Sequence, residues 1–459
     1  MLAGSVPRIT KVMLGVVFLS YAMGGCSSKD VAARVETILR LSAEGRYLEI
    51  VDDLEGVKWT QDSDPELLIL YCSARFALNP QNSSCVLRKE SEKEIHAFAH
   101  ALWQVWSGHT SEAKTTFETL YKSEIWLHWG AIGKLLLAQY TENYRRLGEL
   151  LHSFGTSALR KKKYFERIFK KYQLLYAQET LDWDGLNDYL KQYKFRQIER
   201  DPVLFSAQSQ LYFARGMSKE LGRLLNKTKH TLGETTAYKF RMADFFVMQD
   251  NISKSKEVII SSALLDPENV ALQVERAYID ILSASRRTSE AAWRRLYKIA
   301  YLSRYNVKLL LHMAVTLSSY HRLQESIEIF DLIDIRGTTL TDFTIFHILS
   351  AWGAIYRGKI NKAGFILQEA IDMAPTHVEG NWLKVLIAKK RNDPNKAAEA
   401  LEVLFSVDPY NKDYRKMIRY FWNKFQTKEL GMLYEKINNW EDAAVSVQAG
   451  RENKGAPAQ

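Results

Sequence analysis

Residues 347–375 read HILSAWGAIYRGKINKAGFILQEAIDMAP. Small residues stand at Ala351, Ala363 and Ala370, a glycine at Gly358 and a proline at Pro375. The gaps from Ala351 through Gly358 and Ala363 to Ala370 are seven, five and seven residues. One small residue on each of two helices lets an antiparallel pair approach closely. The glycine makes the turn between them, and the proline, which has no N–H to offer, stops the second helix. The next block of this kind, NWLKVLIAKKRNDPNKAAEALEVLFSVDP at 381–409, repeats the pattern. Ala397 follows Ala363 and Pro409 follows Pro375 at one and the same interval. Asn392 takes the turn position, where it tolerates similar backbone angles.

The same frame recurs upstream. Ala101, Gly108, Ala113 and Leu120 reproduce the seven, five and seven gaps. Ala243 and Ser255 keep the twelve-residue step, Ser262 and Pro267 the five-residue step, and Ala314, Ser326 and Phe330 make a further copy. Near the start, RLSAEGRYLEIVDDL has only its turn glycine, Gly45, and between 130 and 230 the copies are degenerate. There Leu135, Leu136, Ala138, Leu147, Leu150 and Leu151 still recur at helical spacing. Each hairpin leaves an apolar face that only a neighbouring copy can cover, so the copies must stack.

This pattern resembles the tetratricopeptide repeat family, whose period is about 34 residues. The resemblance is best over 344–409 and good over 94–121 and 236–267. It implies an all-α chain: an α-solenoid, a right-handed superhelix of stacked helical hairpins, roughly ten in number, binding partner proteins in its concave groove. The expected division is degenerate hairpins over 31–230, better-defined repeats over 231–425, a C-terminal helix or cap over 426–447, and a disordered tail over 448–459.

The chain opens MLAGSVPRITKVMLGVVFLSYAMGGCSSKD. Arg8 and Lys11 precede an apolar run from Val12 to Met23, long enough for a signal-peptide core and too short to span a bilayer. Met23-Gly24-Gly25-Cys26 resembles the bacterial lipobox, with methionine where leucine is commoner. By that resemblance residues 1–25 are a lipoprotein signal peptide, Cys26 is acylated, and 26–30 form a short tether. Ser27 rather than aspartate then implies the outer membrane, lipid-anchored at its periplasmic face. Such lipoproteins serve in the assembly of envelope machines, so envelope proteins are the expected partners and polysaccharide export the leading assignment.

The chain has 459 residues, 46% of them hydrophobic, and a formal charge of +10, which removal of Arg8 and Lys11 lowers to +8. Its 63 basic residues are interspersed with 53 acidic ones, a balance that does not suit a nucleic-acid partner. Cys72 and Cys85 remain after export: an oxidising compartment permits a disulfide between them, and two small core thiols are the alternative.

LRKKKYFERIFKKYQLLY, residues 159–176, is the sharpest charged feature. Phe165, Ile168, Phe169, Tyr172 and Leu175 form an apolar stripe. Arg160, Lys161, Lys162, Lys163, Arg167, Lys170 and Lys171 are therefore candidates to dock an anionic partner, such as an anionic polysaccharide or an acidic protein patch. A solvated helix face is the plainer alternative. Trp103, Trp106, Trp126 and Trp129 could stack sugars, though their spacings suit hairpin packing better. His96 and His100 share a helix face, but Ala97 stands where a zinc-protease glutamate would be, so packing is expected and metal is not. Glu90-Ser91 matches the glutamate-serine pair of lytic transglycosylases without their supporting segment. No Walker loop, GxSxG elbow or CxxC pair occurs. The expectation is a non-enzymatic scaffold without cofactor, with direct anionic-glycan binding as the second reading and a peptidoglycan enzyme as the third.

Overall fold

In a computed structural model, residues 37–44, 46–79, 85, 87–267, 269–283, 286–319, 322–333 and 343–452 are described. The leader with Cys26, the Gly45 turn and the last residues of the expected tail lie outside them. Every regular element among the described residues is helical. From Lys93 to Glu452 the described residues form ten successive hairpins. The first helices are Lys93–Trp106, Leu127–Tyr140, Lys163–Glu179, Pro202–Ala214, Thr236–Met248, Val270–Ser283, Val307–Ser319, Thr344–Tyr356, Val378–Arg391 and Lys412–Phe425. Ahead of them lie Tyr47–Leu54 and Pro65–Leu78. The fold is an all-α solenoid. Its last helix, Lys428–Glu452, runs past the boundary expected at 447, because no proline interrupts the chain before Pro457.

The small residues do what their spacing demands. Ala101, Ala113, Ala351, Ala363 and Ala397 are all fully buried where the helices meet. The second helices Ile360–Met373 and Pro394–Val407 end just before Pro375 and Pro409. Asp64, Asp201 and Asp393 accept backbone N–H groups at the starts of helices whose first residue is proline.

The turns show what the repeat keeps and what it does not. Positive φ occurs at Gly108, Glu142, Leu181, Gly216, Asp250, Gly358, Asn392 and Gln426. Glu142 follows Gly108 at the repeat interval, as Asp250 follows Gly216, and Asn392 and Gln426 continue from Gly358 in the same steps. In seven of these turns the next N–H reaches back five residues to a carbonyl. Examples are His109 to Gln104 at 2.8 Å and Asn143 to Ala138 at 2.9 Å. This is the Schellman closure of a helix C-terminus. A left-handed residue with a side chain costs about 1–2 kcal/mol, so glycine is favoured there but not required. The hairpins that turn at Glu142 and Leu181 escaped the sequence pattern for this reason, and the first of them also because its close approaches use other residues. Gly130 and Gly133 sit inside helix Leu127–Tyr140, where a Cβ would run into the Tyr121 backbone and the Phe117 ring.

Hairpins about 200 residues apart also touch. The N–H of Thr344 bonds the carbonyl of Thr141 at 3.2 Å, and its hydroxyl bonds the carbonyl of Glu142 at 3.0 Å. The Thr376 hydroxyl donates to the Glu179 carbonyl. Tyr410 packs on Phe213 with ring centroids 5.3 Å apart, and Lys412 reaches Asp250 at 3.5 Å. In each contact, the turn between two helices of one hairpin meets the start of a first helix in a later one. Successive turns of the superhelix are thus laid against each other along a seam.

Beside that seam some helices are enclosed. An open concave groove would leave one face of each first helix in water. Residues 307–318 are buried all round, as are 65–74 and 202–207. A helix apolar and buried on every face lines a core, not a groove. At these helices no face is open to water.

Candidate interaction surfaces

The stretch 160–171 lies on η1, Ala158–Lys161, and on helix Lys163–Glu179. Its apolar stripe is buried: Phe165, Ile168, Phe169, Tyr172 and Leu175 all face the core. Most of its cations are engaged by the chain's own carboxylates. Arg160 makes two bonds to Glu166, at 2.5 and 2.7 Å, and lies over the Phe169 ring. Lys170 reaches the same carboxylate at 3.4 Å. Arg167 bonds Asp64 at 2.9 Å and approaches Glu66 at 3.7 Å, while Lys171, itself buried, pairs with Glu66 at 3.4 Å. Lys162 stands 4.0 Å from Asp62. Lys161 is exposed, and of Lys163 only its place in the helix is described.

Asp64 and Glu66 belong to the start of helix Pro65–Leu78, about 100 residues earlier, and are almost fully buried. Burial pushes Asp64 up to about 7, against the pull of Arg167 and of the Glu66 N–H. Burial likewise lowers Lys171, with Glu66 and Asp201 opposing. Arg160 holds Glu166 below the usual carboxylate range. The stretch is an internal lock, its charge largely balanced before any partner arrives.

Helix Pro65–Leu78 is seated on its other side by a disulfide. Cys72 and Cys85 are joined with their Cα atoms 5.3 Å apart. Trp103 and Trp106 pack on Phe76, and Trp129 donates its indole N–H to the Gln61 carbonyl at 3.2 Å. All four tryptophans are buried, so none offers a face to a sugar. His96 is half-buried and His100 exposed, and no cluster of three or more metal-type side chains occurs among the described residues. Glu90 is exposed, while the buried Ser91 accepts the Trp59 N–H at 3.4 Å.

A second ionic cluster escaped sequence reading. Glu142, at a left-handed turn, sends one carboxylate oxygen to Lys308 at 3.2 Å and the other to His377 at 3.0 Å. The far nitrogen of His377 meets Glu379 at 3.1 Å. Burial resists charge on His377, yet hydrogen bonds to Glu142 and Glu379 outweigh it and lift its pKa to about 9. Burial would raise Glu379, but the charged His377 draws it down to about 2. The nearby buried His312 is lowered, chiefly by burial. These residues come from three hairpins, and their sequence spacing carries no signal. The one clue is that Glu142 falls one repeat interval after the turn glycine Gly108.

The outer side carries an open pocket of about 450 Å³. Leu323, Ile327 and Phe330 form one wall; Trp352 and Ile366 come from the next hairpin, with Tyr356, Arg357 and Lys362 at the rim. One of its walls is a short element. Helix Leu323–Phe330 has 8 residues, whereas its counterparts Ile252–Leu265, Ile360–Met373 and Pro394–Val407 have 14. It therefore covers less of helix Thr344–Tyr356. Tyr356 is 74% exposed and Ile327 45%. Apolar walls with cations at the mouth suit an apolar side chain followed by a carboxylate.

No family model matches the chain, and neither does any curated protein. Among solved structures, the chain is similar to one titled "Crystal structure of APC/C hetero-tetramer Cut9-Hcn1", at 9% identity and a TM-score of 0.27, covering 85% of this chain and 87% of that one. A likeness so slight supports no inference about function.

Proposed function

We propose that this protein is a non-enzymatic scaffold, a lipoprotein held at the periplasmic face of the outer membrane that organises proteins of an envelope machine, polysaccharide export first among the candidates. The carrying observation is the outer pocket between Leu323–Phe330 and Thr344–Tyr356, an apolar recess with Arg357 and Lys362 at its mouth on a stack of hairpins. Partners dock here. The address rests on the leader, where Met23-Gly24-Gly25-Cys26 supplies the acylation site. Direct glycan binding through 160–171 is less favoured, since Arg160, Arg167, Lys170 and Lys171 are already paired within the chain.

The test places a photo-crosslinking residue at Tyr356 in cells. An adduct with an envelope protein that disappears on Ile327→Arg is the expected result; an adduct unaffected by that change, or none, overturns the docking assignment. Mass spectrometry of the mature N-terminus tests the address separately. A diacylglyceryl Cys26 is expected, and an unmodified N-terminus removes the anchor.

A further inference from the structure

Helix Arg286–Leu302 points the wrong residues outward. Its exposed face, read along the turns, is Glu290, Arg294, Tyr297, Lys298, Tyr301 and Leu302, continuing into Tyr305. On an ordinary surface helix this face would be polar. Instead Tyr301 is 51% exposed and Leu302 62%. Arg304 lies 4.9 Å from both the Tyr301 and Tyr305 rings. The face has one acid, Glu290, which Arg294 engages at 2.8 Å. Leu265, 83% exposed, and Leu264 end the preceding second helix, Ile252–Leu265, as Leu302 ends the second helix of the next hairpin. Two consecutive hairpins thus expose leucines, tyrosines and cations at corresponding helix ends, where a soluble surface is usually polar.

We infer that these helix ends form a membrane-contact edge whose occupant is the headgroup layer of an anionic phospholipid bilayer. Three observations choose a bilayer over a protein. Tyrosines have an apolar body and a polar tip, which suits the interface between headgroups and acyl chains, and the leucines at two helix ends are placed to enter below them. Lys298 and Arg304 give the rim a positive charge complementary to anionic lipid, while Arg294 is balanced by Glu290. The third is where the chain begins. Tyr47 lies close enough to Asp266 for that carboxylate to act on its hydroxyl, and Asp266 directly follows Leu265. Helix Tyr47–Leu54, whose Leu48 is also exposed, therefore sits beside this edge. Only ten residues lie between Cys26 and Thr37, where the described chain starts, a reach of at most about 40 Å. This last observation alone rests on the acyl-anchor reading. With the edge laid on lipid, the outer pocket two hairpins further on keeps a defined height above the bilayer.

The experiment uses the full chain carrying Cys26→Ser, which cannot be acylated, so its outcome is separate from that of the anchor. Cosedimentation with phosphatidylglycerol-containing vesicles is compared with phosphatidylcholine vesicles. Binding to the anionic vesicles, weakened by salt, is expected, with a blue shift in the fluorescence of Trp293, which is half-buried on this helix with its ring 5.6 Å from that of Tyr297. The double change Leu265→Asp, Leu302→Asp should reduce it by about tenfold or more, and Lys298→Glu by several-fold. Helical circular dichroism checks these variants, and the milder pair Leu265→Ser, Leu302→Ser replaces any that unfold. Failure of the unsubstituted protein to bind overturns the proposal. So does binding indifferent to the leucine changes, or equal affinity for a soluble polyanion such as dextran sulfate, which assigns the face to glycan.

Discussion

Helices Lys163–Glu179 and Arg286–Leu302 have similar compositions and opposite fates. Both are 17 residues long, basic and rich in aromatic side chains. The first turns its stripe into the core and gives its cations to Asp64, Glu66 and Glu166. The second buries Ala292, Leu296 and Ala300 and leaves Tyr301, Leu302 and Lys298 in water. The partner of a charge can lie a hundred residues away, as Glu66 lies from Lys171. Charge density along a sequence therefore locates a basic helix without saying whether its charge is available. Availability depends on which helix start the solenoid brings alongside.

Four changes would break or sharpen this contrast. The largest effect is expected from Glu66→Ala, which leaves Lys171 buried without its nearest carboxylate and weakens the hold on Arg167. A loss of about 3–5 kcal/mol in denaturant unfolding is expected, and a loss under about 1 kcal/mol would mean the lock is not structural. Next is Cys85→Ser, which opens the loop, 13 residues in sequence separation, that seats the helix bearing Asp64 and Glu66. About 3 kcal/mol should be lost, and reducing the unsubstituted protein should match it.

The third extends the comparison to the seam, where cations also find distant carboxylates. His377 rises from its ordinary 6.5 to about 9 on folding, so its contribution is complete below pH 6.5 and is lost as pH rises through about 9. Glu379, held at about 2, contributes fully above pH 4.5 and loses this only as pH falls through 2. Both are complete between about pH 4.5 and 6.5. His377→Gln should lower stability there by roughly 2–3 kcal/mol and flatten its decline between pH 6.5 and 9. An unchanged pH profile would remove His377 from the seam's energetics. The smallest effect is expected from Lys298→Ala on the open helix, a change of at most about 0.5 kcal/mol in either direction, as is usual at a surface. A loss like that of Glu66→Ala would show that this helix, too, is locked.

Legibility followed the same division. The hairpins at 344–409 were readable because Ala351, Gly358, Ala363 and Pro375 use the residues that physical constraint prefers at each site. The hairpin Leu127–Tyr140 with Tyr144–Gly155 was not. Its turn is Glu142, its close contacts fall at Gly130 and Gly133, and its strain is carried where Lys308, Thr344 and His377 converge on that turn. The tryptophans were correctly expected in the core, because their spacing and size already argued for packing. The outer pocket was invisible, since its walls come from two hairpins whose spacing in the sequence carries no signal.

By itself, the sequence determined that this chain is a stack of helical hairpins repeating at a fixed interval. Helical periodicity, a small residue at each crossing and a helix stop are local constraints, satisfied within a few tens of residues. Tertiary structure alone decided that successive superhelical turns close on each other, that residues 202–207 and 307–318 are enclosed on every face, and that the cations of one basic helix are tied to distant carboxylates while Lys298 on another stays exposed. The physical reason is that burial and ion pairing depend on distance in space, and a curved stack brings residues about 100 or 200 positions apart into contact through small rotations that add up over many hairpins.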